Sequence, residues 1–188
     1  MTFVQADPIK FLQDIQSTTA SYDVAVLSHC IWYFASPAVL FELLQLLAIH
    51  AKRICIAEYA LSASRPSMIP HVIAAVAQAS LEAHIPDSTN NIRTILSPDA
   101  IKEIASALGL KVLKETVVAP SAKLYDGRWE TLAVLEKEFE DKVVKYVKDL
   151  RAQTAIIALR DSVKANKEIL GGAEADTMDV WAVTFTKQ

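Results

Sequence analysis

Glycine is scarce in this chain. The sequence has four glycines among 188 residues, and none of them precedes Gly109. A turn that brings the backbone close to a ligand commonly needs glycine, because glycine adopts positive φ angles at little cost. Residues 1–108 therefore lack a glycine-rich turn, which excludes any site that depends on such a turn near the first strand.

The chain also has few cysteines, no excess of positive charge and no long apolar run. Its two cysteines, Cys30 and Cys55, lie in or beside predicted buried strands and are interpreted as reduced thiols. A net charge of −3 argues against a surface for nucleic acid. No apolar run reaches the roughly 18 residues of a membrane span, and the N-terminus does not resemble a signal peptide. We therefore expect a cytoplasmic protein that binds neither nucleic acid nor a membrane.

Length and an apolar fraction of 52% predict a single globular domain over residues 1–188. The apolar run at residues 22–27 is almost uninterrupted, which is typical of a parallel strand that is covered on both faces. With the intervening helices, the strands give an α/β layered domain. The predicted strands are residues 2–6, 22–27, 53–57, 110–118 and 178–185.

Serine followed by proline marks two of the predicted helix starts. Ser36 and Ser97 are N-cap candidates, and the proline after each suits the first helical position. Gly109 is expected to end a helix. Residues 131–170 are too long for one packed helix in a small domain, so a helical pair or a protruding arm is expected, as a helical insertion at 131–172. The predicted helices are residues 8–16, 37–51, 67–84, 98–108 and 131–170.

Residues 22–59 form one predicted strand–loop–helix–strand unit. The strand Tyr22-Asp-Val-Ala-Val-Leu27, the strand end Ile-Ala-Glu58-Tyr59 and the helix-Gly109-Leu-Lys-Val element follow one another in the chain. Together they resemble the C-terminal portion of a class I S-adenosylmethionine-dependent methyltransferase, in particular methyltransferase-like proteins of fungi. The resemblance implies a truncated Rossmann-like sheet with parallel strands, a C-terminal antiparallel hairpin and helices on both faces.

The sequence departs from that family at the start of the domain. The family's first strand with its Gly-x-Gly loop has no counterpart here, and neither does the second strand with its ribose-binding carboxylate. The resemblance therefore implies S-adenosylmethionine as the cofactor, with only part of its binding site present.

The residues that the resemblance assigns to cofactor binding follow the ends of two predicted strands. Asp7, followed by Pro8, matches the family's carboxylate that accepts a hydrogen bond from the adenine amino group. Alternatively, Asp7 caps the helix that begins at Pro8. Ser28, His29 and Cys30 leave the next strand at its carboxyl end, where open α/β sheets bind their ligands.

His29 and Glu58 are the catalytic candidates. His29 could act as a general base because the ordinary histidine pKa lies near neutrality, or it could be a loop residue bonded to a backbone carbonyl. Glu58 ends the next strand, so in a parallel sheet it should lie beside His29 and orient that ring or a substrate amine. Alternatively, Glu58 pairs with Arg53 or Arg65.

Aromatic residues near the same strand ends are the substrate-binding candidates. Trp32, Tyr33 and Tyr59, with Phe34 nearby, could form the wall of a pocket by stacking on a ligand. The same cluster could equally be ordinary core packing at a strand–helix corner.

Two functions are compatible with these features. The first is a methyltransferase-like protein that transfers a methyl group to a small-molecule or protein nucleophile once the missing elements are supplied. The alternative is a catalytically inactive, truncated domain that acts through homo- or hetero-association. In both cases we expect a homodimer or a partner subunit to cover the exposed sheet edge. No metal site is expected, because His71 and His84 lack ligand partners at a suitable spacing.

Overall fold

The computed structural model describes residues 3–14, 22–121 and 123–187. The strands in these ranges are β1 Tyr22–Ser28, β2 Ala51–Tyr59, β3 Leu110–Val118 and β4 Val180–Lys187. The α-helices are α1 Pro8–Asp14, α2 Pro37–His50, α3 Ile69–Glu82, α4 Pro98–Ala107, α5 Asp126–Leu135, α6 Lys137–Tyr146 and α7 Leu150–Ile169. Short 3₁₀ turns occur at Ile31–Tyr33 and Pro66–Met68.

The four strands form one mixed sheet in the order β1-β2-β4-β3. β1 and β2 are parallel and are joined through α2, as the sequence predicted. β4 runs antiparallel to both β2 and β3, which confirms the predicted antiparallel pair at the C-terminal end. The α/β class is therefore confirmed, with β1 at one edge of the sheet.

The two serine–proline helix starts differ in their hydrogen bonds. The Ser97 side chain accepts a hydrogen bond from the Ala100 amide at 3.2 Å, so it caps α4 as predicted. Ser36 has the extended backbone of an N-cap, but its side chain makes no capping hydrogen bond. Gly109 follows α4 with φ of +73°, a conformation that glycine adopts readily.

One face of the sheet is packed against helices. Its central side chains, among them Ile54, Ile56 and Phe185, are at most 2% exposed. They pack against the apolar faces of α2 and α4 in a single hydrophobic core. This face supplies most of the apolar burial of the α/β layer.

The opposite face is open in the described residues. A row of paired residues, Val26, Cys55, Thr184 and Lys114, crosses it from β1 to β3. Val26 is 70% exposed. The prediction that β1 is buried on both faces is therefore wrong, because β1 is an edge strand with one uncovered side. Helices on both faces were expected, whereas among the described residues only one face carries them.

The predicted strand at residues 2–6 is also wrong in its described part. Residues 3–6 are not in a strand, and Phe3 and Val4 are 87% and 62% exposed. They have no paired neighbour, and a strand depends on backbone hydrogen bonds to a partner. The chain instead enters α1 at Pro8. Thr2 and the predicted end of this helix at Gln16 lie outside the described residues.

The charged region before the last strand folds into three helices, α5, α6 and α7, rather than a pair or an arm. They pack with α3 around a second apolar cluster that includes Ala74, Leu81, Phe139 and Val163. α5 begins at Asp126, five positions before the predicted start at residue 131. Within the described ranges, no helix has both the length and the apolar character needed to cross a bilayer.

Candidate functional site

A cavity of about 290 Å³ lies where β1 and β2 end, beside the start of β4. Open α/β sheets commonly bind ligands outside the carboxyl ends of their parallel strands. The walls come from the loop after β1, the end of β2, α3, and the first turns of α5. The cavity is lined by His29, Trp32, Tyr33, Glu58, Tyr59, His71, Asn91, Ile92, Leu124, Asp126, Glu130 and Val180.

Glu58 holds the loop after β1 in place. Its side chain is buried, at 1% exposure. One carboxylate oxygen accepts a hydrogen bond from the Ile31 amide and the other from the Tyr59 amide, each at 3.0 Å. These charge-assisted bonds offset the free energy lost by burying the carboxylate. Both carboxylate oxygens are therefore bound to the protein backbone.

His29 lies beside Glu58, as the parallel pairing of β1 and β2 predicted. Its Nδ1 is 3.4 Å from the nearer carboxylate oxygen of Glu58, although the two atoms are not aligned for a hydrogen bond. The His29 backbone has φ of +47° and donates its amide hydrogen to the Ala57 carbonyl at 2.8 Å. The alternative pairing of Glu58 with Arg53 or Arg65 is not observed among the described residues, and Arg65 lies 3.3 Å from Asp176 instead.

Tyr59 is the centre of an aromatic wall. Its ring centroid lies 4.5 Å from that of His29, 5.3 Å from Trp32 and 5.2 Å from His71. Burial, followed by the nearby carboxylate of Asp126, raises the pKa of the Tyr59 hydroxyl, which keeps it protonated. The predicted aromatic residues Trp32, Tyr33 and Tyr59 are thus brought together at the cavity.

Trp32 is both a core residue and a wall of the cavity, the two alternatives that the sequence left open. It is 3% exposed, and its indole N–H donates to the Leu96 carbonyl at 3.3 Å, so it belongs to the core. It also lines the cavity. Tyr33 is 47% exposed at the cavity rim, whereas Phe34 packs at the edge of the core and is not among the lining residues.

The sequence did not identify His71 as a site residue. His71 is fully buried on α3, and its Nδ1 accepts a hydrogen bond from the Met178 amide at 2.9 Å. Burial lowers the pKa of His71 to about 4, so the ring is neutral near pH 7. Because Nδ1 accepts, the proton lies on Nε2, which has no hydrogen-bond partner among the described residues. A lone histidine in an alanine-rich helix gave no pattern that would have indicated this contact.

The sequence also did not identify Asp126 and Glu130 as site residues. They lie four residues apart on α5 and both line the cavity, but the helix was predicted to begin only at residue 131. Gly127 explains why α5 comes so close, since a Cβ atom there would lie 2.3 Å from the Asp176 carbonyl oxygen. The Gly127 amide also donates to the Thr177 hydroxyl at 3.3 Å. The acidic pair at i and i+4 was the one signal available in the sequence.

The remaining cofactor candidates lie outside the lining of this cavity. Asp7 is exposed and its side chain accepts a hydrogen bond from the Lys10 amide at 3.0 Å, so it caps α1, which begins at Pro8. Ser28 is exposed at the end of β1. Burial, and next the Glu58 carboxylate, raise the pKa of the half-buried Cys30 thiol, which disfavours its reactive thiolate form. Cofactor binding by these residues stays a prediction.

The glycine turn of the family's cofactor site has no counterpart among these residues. His29 provides a positive φ angle after β1, but no glycine lies within residues 1–108. The side chain of Asp7 is already engaged by its own helix. In the part of the chain that the structure describes, there is therefore neither a glycine turn at the end of β1 nor a free Asp7 carboxylate at the start of α1. Among the described residues, no group of three or more His, Cys, Asp and Glu side chains is arranged to hold a metal ion.

Two fungal proteins are similar to the chain in sequence. Methyltransferase phomM and Methyltransferase phomM′ of Diaporthe leptostromiformis are each 28% identical to it over 188 aligned positions. The alignments cover 87% of this chain and 49% of each relative. The chain therefore spans about half the length of the curated relatives it matches. No protein-family model matches the sequence.

A solved structure shows the same arrangement of elements. The cyclopropane-fatty-acyl-phospholipid synthase-like protein from Lactobacillus casei ATCC 334 superposes with a TM-score of 0.74 at 22% sequence identity. The match covers 96% of this chain and 61% of that protein. Together with the strand order, these comparisons show that the chain has the fold of class I S-adenosylmethionine-dependent methyltransferases, as the resemblance implied.

Proposed function

We propose that this chain forms the acceptor side of an S-adenosylmethionine-dependent methyltransferase, which transfers a methyl group to a small-molecule or protein nucleophile. The observation that carries the proposal is the position of the lined cavity, at the carboxyl ends of β1 and β2 and beside the open edge of the sheet. The names of the two sequence relatives support the reaction class.

The roles of the chain's own residues follow from their contacts. Glu58 fixes the loop after β1 through its two backbone hydrogen bonds. His29, whose side chain is 37% exposed, is a group at the cavity that can take a proton from a nucleophile. Trp32, Tyr33 and Tyr59 shape the cavity and exclude water from one side of a bound acceptor.

In this proposal, cofactor binding needs strands beyond the four that the described residues form. We propose that these strands lie against the open edge and face of the sheet, carried by a longer form of the chain or by a partner subunit. Val26, at 70% exposure on the edge strand, marks that face. An uncovered strand edge and apolar face favour association, because covering them removes apolar area from water.

Light scattering on purified residues 1–188 tests this association. We expect the isolated chain to self-associate through the open face at micromolar concentration, and Val26→Lys to weaken that association. Val144→Lys is the matched control, since Val144 is 68% exposed but lies on α6. A parent protein that stays monomeric would contradict self-association through the open face, and equal effects from the two substitutions would contradict a contact at Val26.

A second candidate function is a non-catalytic module that acts through association alone. The same open face favours it, as does the absence of glycine from residues 1–108. Isolation of the chain with its natural partners, followed by titration with S-adenosylmethionine, separates the two candidates. Cofactor binding by the assembly supports the methyltransferase, whereas an intact assembly that binds none supports the non-catalytic module.

A further inference from the structure

The cavity is lined by three carboxylates, and its basic side chains are histidines. Glu58, Asp126 and Glu130 line it, and the described lining residues include no lysine or arginine. The carboxylate oxygens of Glu58 are held by backbone amides at 3.0 Å. The two carboxylates that are not held by backbone amides are therefore those of Asp126 and Glu130, although the Gln78 side chain contacts Glu130 and the Tyr59 hydroxyl lies near Asp126.

Asp126 and Glu130 are close on one face of α5, an arrangement that repels like charges. The pKa of the Glu130 carboxyl is raised, first by burial and also by the nearby Asp126. The Gln78 amide donates a hydrogen bond to Glu130, but it brings no positive charge. A cation between the two carboxylates would relieve this repulsion, whereas a phosphate or carboxylate ligand would increase it.

The aromatic wall favours the same kind of ligand. Trp32 and Tyr59 line the cavity with ring centroids 5.3 Å apart. Ring faces of this type attract organic cations through their electron density. Apolar walls with a few polar groups are also typical of small-molecule sites, and about 290 Å³ is near the lower limit of their volumes.

His71 provides an independent sign of a ligand at this position. Its side chain is 0% exposed and lines the cavity. Nδ1 accepts a hydrogen bond from the Met178 amide at 2.9 Å, so the Nε2 hydrogen is a buried donor with no partner among the described residues. A buried donor without a partner is unfavourable unless a ligand or water accepts its hydrogen bond. A neutral oxygen on the ligand would satisfy it.

We propose that the cavity binds an organic ammonium cation that also carries a neutral oxygen acceptor, as in an amino alcohol or an amino amide. Asp126 and Glu130 hold the ammonium group, and the His71 Nε2–H donates to the oxygen. The inference rests on the proposed function only in identifying this ligand as the methyl acceptor, a step for which the ammonium group must first lose a proton, with His29 at the cavity as the base. The binding itself needs no cofactor.

Two-dimensional NMR titration of the ¹⁵N-labelled chain, without cofactor, tests the proposal. The probes are ethanolamine, propylamine, ethylene glycol and acetate at constant ionic strength. We expect ethanolamine to saturate shifts at residues 126–130 and around His71. Ethylene glycol and acetate should bind at least about tenfold more weakly, since each lacks the charge-assisted contacts.

Substitutions locate the binding groups. Asp126→Asn and Glu130→Gln should each weaken ethanolamine binding by about tenfold. Glu168→Gln, at an exposed carboxylate on α7, is the matched control and should have no effect. His71→Asn keeps an acceptor for the Met178 amide and removes the Nε2 donor, so it should reduce ethanolamine affinity to that of propylamine. The spectra themselves report whether each variant is folded.

The proposal is overturned if acetate or ethylene glycol binds as tightly as ethanolamine. It is also overturned if folded Asp126→Asn and Glu130→Gln both retain the parent affinity. Neither result contradicts the proposed function, which is tested separately by measuring cofactor binding to the assembly. Conversely, an assembly that binds no cofactor would contradict the proposed function, but it would not contradict ammonium binding by the isolated chain.

Discussion

The two faces of the sheet are built from alternate residues of the same strands, yet their surroundings differ sharply. On the packed face Phe185 is 1% exposed, whereas on the open face Val26 is 70% exposed. Alternation along a strand determines which side chains share a face. It does not determine what covers that face, which depends on elements distant in sequence. The packed face holds this chain together, and the open face is available to another chain segment.

The largest expected effect comes from deleting a side chain on the packed face. Phe185→Ala should lower the free energy of unfolding by about 3–5 kcal/mol, because it removes buried apolar area and leaves a cavity in the core. Val26→Ala on the open face should change it by less than about 0.5 kcal/mol. Chemical denaturation of both variants, at a protein concentration low enough for the chain to be monomeric, measures the contrast. Equal effects would mean that the open face is covered in the isolated chain.

The same contrast between buried and exposed positions applies to the histidines. The folded-state pKa of His71 is about 4, below the ordinary value of 6.5, so the unfolded chain binds more protons between these pH values. Stability should therefore rise with pH through this window and fall as the pH drops from 6.5 toward 4. The full pH-dependent contribution of His71 to the free energy of unfolding is on the order of 3 kcal/mol.

His71→Asn tests this contribution, because asparagine can accept the Met178 hydrogen bond but does not titrate. The difference in unfolding free energy between pH 6.5 and 4.5 should be smaller in this variant by about 2 kcal/mol. His84→Asn, at an exposed position just after α3, is the control for removing a histidine. An unchanged pH dependence in His71→Asn would show that the buried ring does not carry the effect.

The smallest expected effect on stability concerns two serines, Ser36 and Ser97, each of which precedes a proline at the start of a helix. Ser97→Ala should cost about 1 kcal/mol, because the hydroxyl caps the Ala100 amide at 3.2 Å. Ser36→Ala should cost less, since the Ser36 side chain makes no capping hydrogen bond. Thermal or chemical unfolding of the pair measures the difference. A larger loss from Ser36→Ala would contradict this assignment of the caps.

The parts of the fold that were predictable from sequence rest on local patterns. The unit from β1 to β2 follows from apolar runs and a serine–proline helix start, and the proximity of His29 to Glu58 follows from parallel pairing. The three-helix insertion was recognised as helical because its apolar stripe repeats at helical spacing.

The parts that were not predictable depend on contacts between distant residues. Asp126 reaches the cavity because Gly127 packs against the backbone of Asp176, about fifty positions away. His71 becomes a cavity residue because the Met178 amide binds its Nδ1. The exposure of β1 depends on which strands and helices lie next to it, and its own composition suggested burial. Local patterns carry no information on any of these contacts.

Titration calorimetry of purified residues 1–188 with S-adenosylmethionine tests the central claim most directly. The claim is that this chain contributes the acceptor side of the fold and needs further strands to hold the cofactor. We expect a folded protein that shows no saturable binding at millimolar cofactor. Stoichiometric binding with a micromolar Kd by the chain alone would contradict the account, because residues 1–188 would then hold the cofactor without a glycine turn.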